Sequence, residues 1–137
     1  MTLVDTNVIA DILTPGSEWQ TWSVDRIDEC RRRGILSTNE IVFAELSARL
    51  SSEADVQAVL TSLGITFERI PTAGLFAAGQ AYRKYRAAGG SRSNVLPDFF
   101  IGAHAQVNRL PILTRDTRPY RTYFPDVKLI APEMPPV

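Results

Sequence analysis

The chain is poor in the residues that most often carry chemistry. Among 137 residues it has one cysteine, Cys30, and one histidine, His104. One cysteine excludes an intramolecular disulfide, and the two residues together exclude a Cys/His zinc site. Lysine is scarce, since thirteen of the fifteen basic residues are arginine, the side chain whose planar fork suits phosphate. Net charge is absent: fifteen acids balance fifteen bases, so the basic total typical of a nucleic-acid binder is missing. No apolar run approaches the ~18 residues a membrane span needs. Met1 leads straight into Thr2-Leu3-Val4-Asp5 without a charged or apolar leader. A soluble, reduced, cytoplasmic protein with no membrane partner is the expectation.

What is present is ordinary globular usage, 45% hydrophobic and 22% charged. The length suits one domain over residues 1–137, burying about two-thirds of its extended surface. The charge is unevenly spread: residues 1–70 hold eleven acids and six bases, residues 71–137 four acids and nine bases.

Met1-Thr2-Leu3-Val4 reads as a buried strand ending at Asp5. Helices are expected over Thr6–Leu13, from a Ser17 cap to Arg33, over Glu40–Leu50 after Thr38 or Asn39, and over Glu53–Leu63. Two more are expected from Thr72 to about Ala88 and from Pro97 to Asn108, separated by the polar loop 91–94. Further strands are expected at 35–37, 65–70, 110–113 and 127–130. Strands alternating with helices, without a tight hairpin signal, predict a three-layer α/β/α sandwich with a mainly parallel sheet of about five strands. In such sheets functional groups gather beyond the C-terminal strand ends.

Four acids fall where that rule points. Asp5 follows the first strand, Asp116 the fourth, and Asp98 opens the helix leading into the fourth. Glu45 lies in the apolar stretch Ile41-Val42-Phe43-Ala44-Glu45-Leu46, which places it on a core-facing stripe where a lone carboxylate is costly. Each acid also has a purely structural reading. Asp5 can cap the first helix, Asp98 can favour a helix dipole, Asp116 can sit in a turn before Pro119, and Glu45 can pair with an arginine. The remaining acids read as solvated. Together the four would repel one another unless a divalent cation sat among them. An all-oxygen site selects Mg²⁺ or Mn²⁺, and with such an ion suits phosphodiester hydrolysis. Thr6, Asn7 and Thr114 are small polar neighbours of these acids.

Asp5-Thr6-Asn7-Val8, Glu45 in its helix, Asp98 in Pro97-Asp98-Phe99-Phe100-Ile101-Gly102-Ala103-His104-Ala105, and Leu113-Thr114-Arg115-Asp116 resemble the PIN domain. More narrowly they resemble the VapC-type toxins of bacterial toxin–antitoxin pairs, over essentially the whole chain. The resemblance implies a Mg²⁺- or Mn²⁺-dependent endoribonuclease, usually a homodimer, acting on RNA and inhibited by a cognate antitoxin protein. It carries over Asp5, Glu45, Asp98 and Asp116 as the metal-binding catalytic acids, with Thr114 as the hydroxyl before the last one.

Three other classes fit the residues less well. A phospho-signalling receiver needs an acidic pair after its first strand and an acid after its third, but Thr6 follows Asp5 and Ile70-Pro71-Thr72 has none. A non-catalytic PIN-like module binding RNA or protein is the second alternative, and the intact acidic set argues against it. An Asp-x-Asp phosphatase fails at Asn7. His104 and Cys30 read as packing residues, and Phe76, Tyr82 and Tyr85 as core or dimer interface rather than a base-stacking platform. Arg83, Lys84, Arg86 and Arg92, and Arg115, Arg118 and Arg121, are the candidates for RNA phosphate contacts.

Overall fold

The computed structural model describes residues 1–92 and 94–133. Ser93, in the loop expected over 91–94, and residues 134–137, at the end of the expected domain, lie outside the described residues. The elements are β1 (Thr2–Val4), α1 (Thr6–Leu13), α2 (Gln20–Arg33), β2 (Leu36–Thr38), α3 (Glu40–Ser47), α4 (Glu53–Leu63) and β3 (Ile65–Phe67). They continue with α5 (Thr72–Ala87), α6 (Leu96–Asn108), β4 (Ile112–Leu113), α7 (Arg118–Arg121) and β5 (Leu129–Ile130). The strands form one sheet in the order β3-β2-β1-β4-β5, and every pairing is parallel. Helices flank it to give the three-layer α/β/α sandwich expected.

The sheet is central because its middle strands are apolar on both sides. Leu3, Val4, Leu36, Ile112 and Leu113 are each 0–1% exposed, as a parallel sheet covered on two faces requires. Burying one such side chain contributes about 1.5–3 kcal/mol, and truncating Leu3 to alanine would cost about 2–5 kcal/mol. Val8 and Ile9 of α1, Ile27 of α2 and Ile101 and Ala105 of α6 close the core against it. α6 carries Gly102 because Phe124 lies against its backbone: a Cβ there would stand 2.4 Å from the Phe124 ring.

The chain winds outward from β1 through β2 to β3, then returns to the other side of β1 for β4 and β5. The winding therefore reverses between β1 and β4, which opens a crevice at their C-terminal ends. Val4 pairs with Leu113, so the next residues, Asp5 and Thr114, emerge side by side at its mouth.

Boundaries differ from expectation where local caps overrule composition. α2 begins three residues after Ser17, whose hydroxyl instead accepts the Trp19 N–H (3.3 Å) in the preceding turn. α3 stops at Ser47 rather than Leu50, where the Ser47 hydroxyl bonds back to the Phe43 carbonyl (2.7 Å). α7, a single turn begun by Arg118-Pro119, was not expected. Phe76 is 70% exposed on α5 and is not core, whereas Tyr82 and Tyr85 pack partly buried against Phe99. Among the described residues no helix is long and apolar enough to cross a membrane.

Candidate acidic cleft

A cleft of about 550 Å³ opens at the β1/β4 crevice, and Asp5, Glu45, Asp98 and Asp116 all line it. Thr114 lies just beneath, fully buried. Four segments distant in sequence thus bring the predicted acids to one cavity.

Asp5 is set by its own helix. It is the N-cap of α1, its Oδ1 accepting the Thr6 N–H (2.7 Å), so the capping role and a place in the cleft coexist. Oδ2 takes two hydroxyls, from Thr114 (2.9 Å) and Tyr120 (2.6 Å). Burial pushes the Asp5 carboxyl up, while those three donors pull it down and Glu45 raises it further. Tyr120, fully buried at the end of α7, is held well above the usual phenol range by burial and by Asp5, so it remains a donor.

Glu45 corrects the sequence reading. The buried stripe of α3 is Val42 and Leu46, and Glu45 is exposed on the cleft wall, where it accepts the Thr6 hydroxyl (2.7 Å). No arginine pairs with it among the described residues. Asp98, in the first turn of α6, is partly buried, and its carboxyl is raised to about 7 by desolvation and then by Asp5, Glu45 and Asp116. This is the repulsion expected of clustered acids. Asp116 escapes it. Arg118 grips both its oxygens (Nε–Oδ1 2.9 Å, Nη2–Oδ2 2.9 Å), and the Arg118 N–H adds a third bond to Oδ1 (3.1 Å). The side-chain bonds from Arg118 hold the Asp116 carboxyl below its ordinary value.

Among the described residues, no three of the acidic, histidine or cysteine groups are gathered closely enough to hold a metal ion. Asp5 and Asp116 are committed instead to donors of the chain itself. In donor chemistry the cleft still suits a hard cation: its ligands are carboxylate oxygens without sulfur or imidazole, and the mutual repulsion raising Asp98 is what a cation would relieve.

The small polar neighbours form the floor. Asn7 donates through Nδ2 to Thr114 Oγ1 (3.2 Å) and accepts the Arg115 N–H (3.0 Å), tying α1 to the turn after β4. Thr114 Oγ1 also accepts the Asp116 N–H (3.1 Å), which fixes the approach of Asp116.

Two residues escaped the sequence reading. Asp11, grouped there with the solvated acids, is buried. It takes Arg115 Nε (2.7 Å) and Nη2 (3.2 Å), with Ser23 beside it (3.3 Å) and the guanidinium of Arg115 5.8 Å from the Trp19 ring. Its place four residues after Asn7, amid Val8, Ile9 and Ala10, was the available signal. Tyr120 left none, since nothing local to Arg118-Pro119-Tyr120-Arg121 points at Asp5. His104, the only histidine, faces away from the cleft and is buried against Asn39.

The PIN domain family model matches residues 2–125. No curated protein matches the sequence. Among solved structures, VapBC2 from Rickettsia felis bound to a fragment of its promoter DNA superposes at TM-score 0.72 with 15% identity, covering 95% of this chain and 97% of that one. VapBC-1 from nontypeable Haemophilus influenzae superposes at 0.70 with 16% identity (95% and 96% covered). A toxin–antitoxin complex from Klebsiella pneumoniae superposes at 0.62 with 19% identity (89% and 92% covered). At such identities the likeness is one of fold.

Proposed function

The chain belongs to the PIN domain family, and from that membership and the acidic cleft we propose that it is a metal-dependent endoribonuclease, the toxin of a toxin–antitoxin pair. The observation carrying this reading is that Asp5, Glu45, Asp98 and Asp116 line one cleft at the point where the sheet's winding reverses. In this reading Asp5, Glu45, Asp98 and Asp116 hold Mg²⁺ or Mn²⁺, which when bound polarises a phosphoryl oxygen and lowers the pKa of a water. Thr114 and Tyr120 orient Asp5 through their hydroxyls, and Asn7 orients Thr114. Asp98, raised to about 7, gains its charged form as a cation enters, so metal binding releases a proton. An RNA substrate, a cognate antitoxin and a homodimer belong to the same proposal. A toxin–antitoxin complex is among the similar folds, which supports the antitoxin.

A binding-only PIN module is favoured by one observation, the Arg118 grip on Asp116 in a cleft without a gathered acid cluster. One experiment separates the two. Purified protein is incubated with structured RNA and Mn²⁺, then with EDTA. The nuclease reading expects cleavage that EDTA stops and that Asp5→Asn or Asp98→Asn lowers by orders of magnitude. RNA bound but uncut in Mn²⁺ supports the binding-only module, and cleavage undiminished in EDTA defeats the metal mechanism.

A further inference from the structure

Arg92, in the loop after α5, and Arg118, the first residue of α7, both line a second cavity of about 450 Å³, which shares Asp98 and Asp116 with the acidic cleft. Its other wall is aromatic, built from Tyr85 and Tyr123. The volume lies in the range of small-ligand sites.

This aromatic wall is pre-set. Tyr85 and Tyr123 meet edge to face at 6.2 Å and 78°, and Tyr123 leans on the buried Phe99 at 5.3 Å. The Tyr85 hydroxyl accepts the Arg92 N–H (3.0 Å), which ties the loop carrying Arg92 to the ring. Gly90 lets that loop lie flat on Tyr85, for a Cβ there would stand 2.4 Å from Cζ. Rings that are already ordered lose little freedom when a ligand docks.

The shared acidic wall narrows the choice of occupant. A free anion seated there would face Asp98 and Asp116. A neutral planar group against the tyrosines, with its phosphate turned outward to Arg92, would not. Aromatic and arginine side chains together are how proteins hold single-stranded RNA bases. We propose that this cavity is a nucleobase subsite, taking the RNA nucleotide next to the phosphate attacked in the acidic cleft. The inference rests on the ribonuclease reading for the identity of that phosphate. It assigns to Tyr85 and Tyr123 the base contact, and to Arg92 the phosphate contact on the outer side.

The test uses the full chain in EDTA, where no cleavage occurs. The four nucleoside 5′-monophosphates and ribose 5-phosphate are titrated while the ring resonances of Tyr85 and Tyr123 are followed by NMR. At least one nucleotide should bind about fivefold or more tightly than ribose 5-phosphate, the scale of one base–aromatic contact. Thr122→Phe, at an exposed residue lining the cavity, should fill it and erase that preference with little change in Tm. Arg92→Gln should weaken every nucleotide without altering their order. With Mn²⁺ and a randomised oligoribonucleotide, Thr122→Phe should change which bases flank the cut. Equal binding of ribose 5-phosphate and all four nucleotides overturns the proposal, leaving a phosphate contact only. So does an unchanged base preference in Thr122→Phe. If the chain cuts no RNA, the ribonuclease reading falls, and the nucleotide titration still decides this site by itself.

Discussion

Asn39 donates from Nδ2 to Nδ1 of His104 across 3.0 Å, while its Oδ1 caps α3 by accepting the N–H groups of Ile41 and Val42. The two backbone donors fix which end of the amide is oxygen, so Nδ1 must be an unprotonated acceptor and the ring is neutral. The bond therefore joins the helix carrying Glu45 to the helix carrying Asp98, and it survives only while His104 is uncharged. Nε2 of the ring has no partner among the described residues.

Burial holds His104 below its ordinary 6.5. As pH falls through about 6.5, the unfolded chain takes up a proton that the folded chain refuses, so stability drops. Asp98 titrates nearby with the opposite sign, so the effect is read in Asp98→Asn. Thermal melts from pH 8 to 5.5 should show Tm falling in that background, and His104→Gln should flatten the slope. Asn39→Ala should cost about 1–3 kcal/mol at pH 8, from the lost cap and the unpaired ring nitrogen. A pH dependence of Tm that His104→Gln leaves unchanged in the Asp98→Asn background would contradict the neutral ring.

Asp98 itself offers a charge-relief test. Its folded value near 7 stands above the ordinary 3.8, so between those pH values the folded chain keeps a proton that the unfolded chain has lost. The resulting destabilisation is fully present above pH 7 and fades as pH falls toward 4. In EDTA, Asp98→Asn should melt a few degrees above wild type at pH 8, with the gap closing by pH 4.5. Added Mn²⁺ should raise the Tm of wild type more than that of the variant. A lower Tm for Asp98→Asn at pH 8 would mean the carboxylate is a paired structural group.

Asp116 should behave otherwise, because Arg118 already compensates its charge. Asp116→Asn should show none of the stabilisation of Asp98→Asn. Arg118 is exposed, and the pair is screened by salt. Arg118→Gln should bind Mn²⁺ more tightly than wild type by calorimetry, most visibly at low salt, since the metal no longer competes for Asp116. Weaker binding in Arg118→Gln would show that the arginine supports the site instead of occupying it.

The Asp11–Arg115 pair should respond asymmetrically. Asp11 is buried while Arg115 is one-third exposed. Arg115→Ala strands a buried carboxylate and should cost about 2–3 kcal/mol in urea unfolding, under the 3–5 kcal/mol of fully buried pairs. Asp11→Ala should cost less, because the freed guanidinium can reach water. Equal losses would mean that packing against Trp19 carries the energy rather than the ion pair.

The sequence showed this architecture wherever a signal was local. Short apolar or β-branched runs marked all five strands, and the rule for strand ends picked out Asp5, directly after its run, and Asp116, three residues beyond Leu113. The same pattern misjudged Glu45: helical spacing gives the angle around an axis, but which angle meets the core depends on the neighbouring helix, and Val42 and Leu46 took it. Asp11 escaped because its partner lies 104 residues away. Tyr120 escaped because its role depends on where a single helical turn sets a hydroxyl, which no periodicity records.

Asp5 is the fifth residue of the chain, yet its two hydroxyl partners lie 109 and 115 residues further on. At ordinary translation rates of about 5–20 residues per second, that interval is on the order of ten seconds. Once β2 is made it can pair on one side of β1, but the other side has no strand until β4 follows. The cleft thus stays unfinished for most of the time the chain spends on the ribosome. A polypeptide released early, short of β4, would carry the first acid of the site on an open strand edge with neither Thr114 nor Tyr120 to orient it.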